Sequence, residues 1–265
     1  MKNLFLSLCM AVLTLSAFCQ KTETRQVSGF TGIDASSAFE ITVAKGSTES
    51  LTIEADDNVM SYVRSEVKSG VLHLYIDNSR KLKNIKTLKA NIVMKNIDKV
   101  TLSGACKLTG SGIFTPDNFR SDCSGATKLD LQLNTGSMTV KTSGASKINL
   151  KAEVANDVKF DVSGASKMDL DLKATKVQMD ASGSSKAEIS GTASSFQVEA
   201  SGASKVNAGD FIVETATVKS SGSCNITLHV NKALNVNSSG ASSINYKGSP
   251  AINSDSSGST KIRKI

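Results

Sequence analysis

The chain has 265 residues, a net charge of +7, no Trp, only two Pro, and 21% charged residues of both signs. This balance excludes a disordered chain, which carries more net charge and fewer apolar residues. Abundant Ser, Gly, Thr, Val and Ile favour short strands and tight turns over helices, and the length fits one elongated domain or two compact ones.

Residues 1–19 read as a leader. Lys2 precedes an apolar run from Leu4 to Leu15, followed by the small residues Ser16 and Ala17. These are the n-region, h-region and cleavage zone of a secretory signal peptide, and the run is short for a membrane span. Cleavage after Cys19 leaves Gln20 as the new N-terminus. A lipoprotein with lipidated Cys19 is the alternative, against which stands the bulky Phe18 before that cysteine. No later segment is apolar and long enough to span a bilayer. The expected location is outside the cytoplasm: the periplasm, the outer cell surface or the medium.

Residues 20–99 form an irregular region. The segment from Ile33 to Val43 is a degenerate copy of the repeat that fills the rest of the chain. Ser37 stands where later copies have Gly, and Glu40 where they have Lys. Residues 51–55 and 71–76 alternate as strands. Between them, Asp56, Asp57 and Asn58 precede Val59, Met60, Val63 and Val67, the pattern of a short amphipathic helix with an acidic start. The region is expected to cap the structure, because solenoids need atypical ends to stop edge pairing.

Residues 100–265 repeat a five-residue phrase. SGACK starts at Ser103, SGATK at Ser124, and SGASK at Ser143, Ser163 and Ser201. Variants start at Ser182, Ser221, Ser239 and Ser257, making nine copies spaced 18 to 21 residues apart. Fixed-period self-similarity of this kind marks a solenoid. Three positions before the Ser stand Val100, Val140, Phe160, Met179, Val198, Val218 and Val236. Five positions after it stand Leu108, Leu129, Ile148, Met168, Val206, Ile226, Ile244 and Ile262. Each repeat is therefore strand, turn, strand with one buried face. One rung alone buries too few apolar side chains to offset the entropy of ordering its backbone. Stacking at about 4.8 Å closes that deficit. The fold expected is an all-β parallel β-helix, right-handed because the period drifts and no six-residue unit appears. Each recurring Gly, from Gly104 to Gly258, marks a corner where φ is positive and successive turns approach closely.

The segments GFTGIDASSAFEITVAKG and LTIEADDNVMSYVRSEVKSGVLHLYID, with the serial SGASK phrases, resemble the GIN-domain family (DUF2807), named for the heads of autotransporter adhesins. The resemblance covers essentially all of the chain after residue 19. It implies a right-handed β-helix exported by Gram-negative bacteria, with no established biochemical activity. The chain departs from an autotransporter in that no segment reads as a membrane-spanning barrel, so that secretion route is not implied.

Candidate chemistry is sparse. Cys106, Cys123 and Cys224 fall outside the leader. Cys106 and Cys224 share a repeat position six rungs apart, on the order of 29 Å, too far to bridge. Both read as fillers of a small-residue column, with a Cys106–Cys123 disulfide as the alternative in an oxidising compartment. No CxxC or Cys/His cluster implies a metal, and no motif implies a cofactor. His73 and His229 read as structural or surface residues. Asp161, Asp180 and Glu199 share one outward column, and Asp169 and Glu188 another. Such neighbours would suit a polysaccharide-active enzyme, the alternative function, but their regular recurrence beside lysines fits a solvated charge ladder better. The candidate binding feature is a basic column of Lys107, Lys128, Lys147, Lys167, Lys186 and Lys205. Such a stripe suits glycans or other anionic envelope components. It lacks the interleaved aromatics that nucleic-acid binding would use, and a plain solubility device is the competing reading. The sequence thus leads to an exported, non-enzymatic surface or envelope scaffold of adhesin-like type.

Overall fold

Each repeat forms two strands joined at its Ser-Gly corner, and the rungs stack into a β-solenoid of about 9 turns. This computed structural model describes residues 20–77, 82 and 84–265. The leader expected at 1–19 lies outside the described residues.

The irregular part contains β1 (Gln20–Arg25), β2 (Gly32–Ala35), β3 (Glu40–Lys45), β4 (Ser50–Asp56), α1 (Asp57–Met60), β5 (Val63–Lys68), β6 (Val71–Ile76) and β7 (Leu88–Met94). The next rungs use two strands each: β8 (Lys99–Leu102), β9 (Lys107–Phe114), β10 (Asn118–Cys123), β11 (Lys128–Thr135), β12 (Ser137–Thr142), β13 (Lys147–Val154) and β14 (Asp157–Val162). From there the strands run on through the back turn as β15 (Lys167–Ala181), β16 (Lys186–Ala200), β17 (Lys205–Gly222) and β18 (Asn225–Gly240). The stack finishes with β19 (Ser243–Lys247), β20 (Ala251–Ser256) and β21 (Lys261–Lys264).

Pairing among the repeats is parallel, so equivalent positions of successive rungs lie side by side. Inward positions form apolar columns. One runs Ile33, Val100, Ser121, Val140, Phe160, Met179, Val198, Val218 and Val236 in continuous register. Ser121 breaks this column: it is fully buried, and its hydroxyl has no hydrogen-bond partner.

The corners explain the glycines. Gly164 has φ +74°, and a Cβ placed there would lie 2.5 Å from the carbonyl oxygen of Gly144 in the rung below. That oxygen accepts a 2.8 Å hydrogen bond from the Ala165 N–H. The same bond recurs along the column at 2.7–2.9 Å, from Ala105 N–H to Ser37 up to Ser259 N–H to Gly240. Both reasons for glycine, positive φ and close approach, therefore hold at one atom. Ser37 heads the column with φ 79° and keeps a side chain. The strand beneath it, β6, runs on to Ile76 instead of turning with it.

The irregular region joins the stack in non-sequential order. β2 lies between β6 and β8, and β3 between β7 and β9. The degenerate copy thus sits in frame, with Glu40 beside Lys107. Antiparallel strands then end the parallel ladder: β5 on β6, β4 on β7, and β1 on β4. The expected helix is a single turn, Asp57–Met60. Val63 and Val67, which fit a helical spacing, belong instead to β5. A two-residue turn with positive φ at Ser69 and Gly70 folds β5 back on β6, the geometry of a type I′ hairpin.

Among the described residues the three cysteines, Cys106, Cys123 and Cys224, are free and buried. Cys106 and Cys224 fill the column shared with Thr127, Ser146, Ser166, Ser185, Ser204 and Ser242, each at most 3% exposed. Here hydroxyls bond the corner carbonyl three residues back, as Ser166 Oγ does to Ser163 O at 2.9 Å. Cys224 Sγ repeats the contact to Ser221 O at 3.4 Å. Burial pushes all three thiols up, Cys123 to about 12. The Cys106–Cys123 bridge is not formed.

Two substitutions should move stability in opposite directions. Gly164→Val should cost more than about 2 kcal/mol, or prevent folding, through strain and backbone collision. Ser121→Val should add about 1–2 kcal/mol by replacing an unpaired buried hydroxyl within a Val column. Denaturant unfolding monitored by circular dichroism reads both, and an unaffected Gly164→Val protein would refute the corner argument. Thiol counting on protein that begins at Gln20 should give three reactive groups in non-reducing denaturant and slow reaction in the folded state. A count of one would mean a bridge. Because the Cys123 thiol stays protonated in the fold from pH 9.0 to about 12 while the unfolded thiol ionises, the folded state binds more protons there. Stability should fall as pH rises through that window, less steeply in Cys123→Val.

Candidate functional site

The outward positions of the second strand of each rung form columns on one face. Lys107, Lys128, Lys147, Lys167, Lys186 and Lys205 are direct register partners on six consecutive rungs. Glu40 precedes them, Asn225 and Ser243 follow, and Lys261 rejoins the column. The structure thus brings together all six sequence-selected lysines.

A second column, two residues further along each strand, answers the first. It runs Asp130, Asn149, Asp169, Glu188 and Asn207. Lys147 and Lys167 both reach Asp169, at 3.9 and 3.3 Å, and Lys186 reaches Glu188 at 3.0 Å. Lys107 pairs with Glu40 at 2.8 Å. This explains how like charges tolerate a spacing of about 4.8 Å: the acid column offsets them. Amides link its members, Asn149 Nδ2 to Asp130 at 3.0 Å and Asn207 Nδ2 to Glu188 at 2.6 Å.

The carboxylates follow the same logic electrostatically. The Lys107 hydrogen bond holds Glu40 below the usual range. Burial pushes Glu188 up, but hydrogen bonds from Lys186 and Asn207 outweigh it and leave the carboxyl lowered. On another face, Asp161, Asp180 and Glu199 are register partners as expected. Lys159 pairs with Asp180 at 3.6 Å and Lys219 with Glu199 at 2.9 Å. The Lys219 bond, with one from Gln197, lowers Glu199. A general acid needs the opposite shift.

A third outward column was not picked out in the sequence: Gln132, Lys151, Asp171 and Ser190. Between it and the acid column lies an open groove of about 410 Å³, floored by Leu131, Leu150, Leu170 and Ile189. Lys151 pairs with Asp171 across neighbouring rungs at 3.2 Å. A second trough of about 480 Å³ follows on the other side of this column, with Ile113, Asn134, Glu153 and Lys173 in its walls. Outside this face, His73 Nδ1 lies 3.2 Å from Asp34 on the cap, and His229 sits on β18 opposite Ile212.

The family described as "Putative auto-transporter adhesin, head GIN domain" matches residues 29–166 and 154–250. The chain belongs to this family. Among solved structures, a "putative adhesin" from Parabacteroides merdae is 15% identical with a TM-score of 0.68, covering 93% of this chain and 96% of that one. A "putative lipid binding protein" from Parabacteroides distasonis is 17% identical with a TM-score of 0.62 over 93% and 96%. A third, a "putative adhesin" from Bacteroides fragilis, is 21% identical with a TM-score of 0.53 over 93% and 97%. At such identities these likenesses establish the fold. No curated protein matches the chain.

Proposed function

We propose that this GIN-domain chain is an exported, non-enzymatic binding module, a cell-surface or envelope scaffold of adhesin-like type. Its lysine face would meet glycans or other anionic envelope components. The observation that carries the reading is the lysine column itself, six cations in register on a rigid stack, where many weak contacts add along one polymer. The family description and the leader pattern support a place outside the cytoplasm. Among the described residues no helix is long and apolar enough to cross a membrane. The paired, lowered carboxyls of Glu188 and Glu199 favour binding over hydrolysis.

Replacing Lys147, Lys167 and Lys186 together with Gln tests the face. Exposed pairs of this kind contribute about 0–1 kcal/mol, so the melting temperature should barely move. Retention on heparin should drop, and wild-type retention should weaken with salt. Unchanged retention would refute the lysine face. The intact mass of protein recovered from outside the cytoplasm should begin at Gln20, and a full-length cytoplasmic product would contradict export.

A further inference from the structure

The groove between the acid column and its neighbour is bounded at both ends by the same device. At the lower end, the β9–β11 register passes from Thr109–Asp130 to Ile113–Gln132, leaving Gly110, Ser111 and Gly112 as a bulge. At the upper end, the β16–β17 register passes from Glu188–Asn207 to Ser190–Asp210, so that Ala208 and Gly209 stand opposite the single residue Ile189. Both bulges fall at one position along the strand, between the two columns. Each is tied by a lysine from another rung. Lys45 Nζ donates to Ile113 O at 2.8 Å, and Lys247 Nζ lies 3.4 Å from Asp210. Between the bulges, β11, β13, β15 and β16 present four regular rungs. Bulges placed this way re-aim side chains and end a regular surface, and they commonly border functional sites.

From these features we infer that the four-rung groove is a binding subsite for an uncharged, hydroxyl-rich linear oligosaccharide lying along the stack axis. The inference rests on the glycan-binding role proposed above and assigns it a second, differently charged contact. Three properties lead to it. First, the walls are carboxylates, amides, a hydroxyl and one lysine, which are hydrogen-bonding groups for sugar hydroxyls. Second, most of the charge is already compensated. Asp169 meets Lys147 and Lys167, Asp171 meets Lys151, Glu188 meets Lys186 and Asp210 meets Lys247, while Asp130 accepts from the Asn149 amide. What the carboxylates offer is lone pairs rather than an unmatched negative field, so neither an acidic nor a cationic polymer is favoured. Third, the rungs repeat at about 4.8 Å, close to the advance per sugar of an extended β-linked pyranose chain. Each sugar would then meet the same pair of columns as the one before it, over four rungs and no further.

Calorimetry with uncharged β-linked gluco-, xylo- and N-acetylchito-oligosaccharides of two to six sugars tests this on the mature protein. Affinity should climb up to four sugars and then level off. Gln132→Trp, at an exposed position of the groove wall, should weaken binding at least tenfold. So should Asp169→Ala combined with Asp171→Ala, a separate route should the Trp variant misfold. Circular dichroism and melting temperature should match the wild type in both. Binding of heparin alone, insensitive to Gln132→Trp, would overturn the groove while leaving the lysine face standing. Binding of cationic chitosan oligomers but not their N-acetylated forms would overturn the uncharged class. If no glycan of any charge binds, the groove and the lysine face both fall.

Discussion

Successive turns can pass a corner at sheet spacing only if hydrogen alone fills the space between them. In this molecule the constraint takes the form of a carbonyl shared by two demands. The Gly144 oxygen must receive the Ala165 N–H, and it must sit where a Gly164 side chain would begin. Satisfying the first forbids the second, so the hydrogen bond that continues the ladder around the corner is also what selects glycine. A corner that cannot slip fixes the register of both flanking strands. A one-residue shift would turn every inward side chain outward.

Everything else on the surface and in the core is a consequence of that register. Parallel pairing makes each residue choice a column, so a property tolerable once must be tolerable many times over. Buried hydroxyls work in the corner column because a Ser can bond a carbonyl three residues back, as Ser166 and Ser204 do, and Thr127 pairs with the Ser146 hydroxyl of the next rung. Ser121 sits two inward columns away, beyond Cys123, where the neighbours are Val100 and Val140, and finds no partner. Outside, a lysine column is tolerable because an acid and amide column runs two residues away. Asp169 serves two lysines at once.

The corner, the apolar columns and the lysine column were legible because a nine-fold repeat states each of them many times. Even the degenerate copy around Ser37 and Glu40 was readable in frame. Its place in the stack was not. No local signal says that β2 and β3 insert between β6–β7 and β8–β9, since that order arises from long-range pairing. Val63 and Val67 show a different limit. Their spacing suits a helix, and only the Ser69-Gly70 turn that brings β5 onto β6 decides for a strand. The limits of the groove were missed because they lie in departures from the repeat. Gly110, Gly112 and Gly209 carried the signal, as glycines outside the corner frame.

Those departures bear on the choice between enzyme and binding module. Catalysis concentrates unlike groups at one point with perturbed acidity, and it would interrupt the columns where the chemistry is done. Here the interruptions fall on either side of the regular rungs instead. The β9 and β17 bulges leave the four rungs between them alike, each presenting a polar pair at the same spacing. Between such limits a chain-like ligand would find repeated equivalent contacts with no distinguished bond to break. Its affinity would grow with the number of rungs engaged and stop at the bulges. A bounded, repetitive face on a rigid stack is therefore suited to measuring and holding a polymer segment.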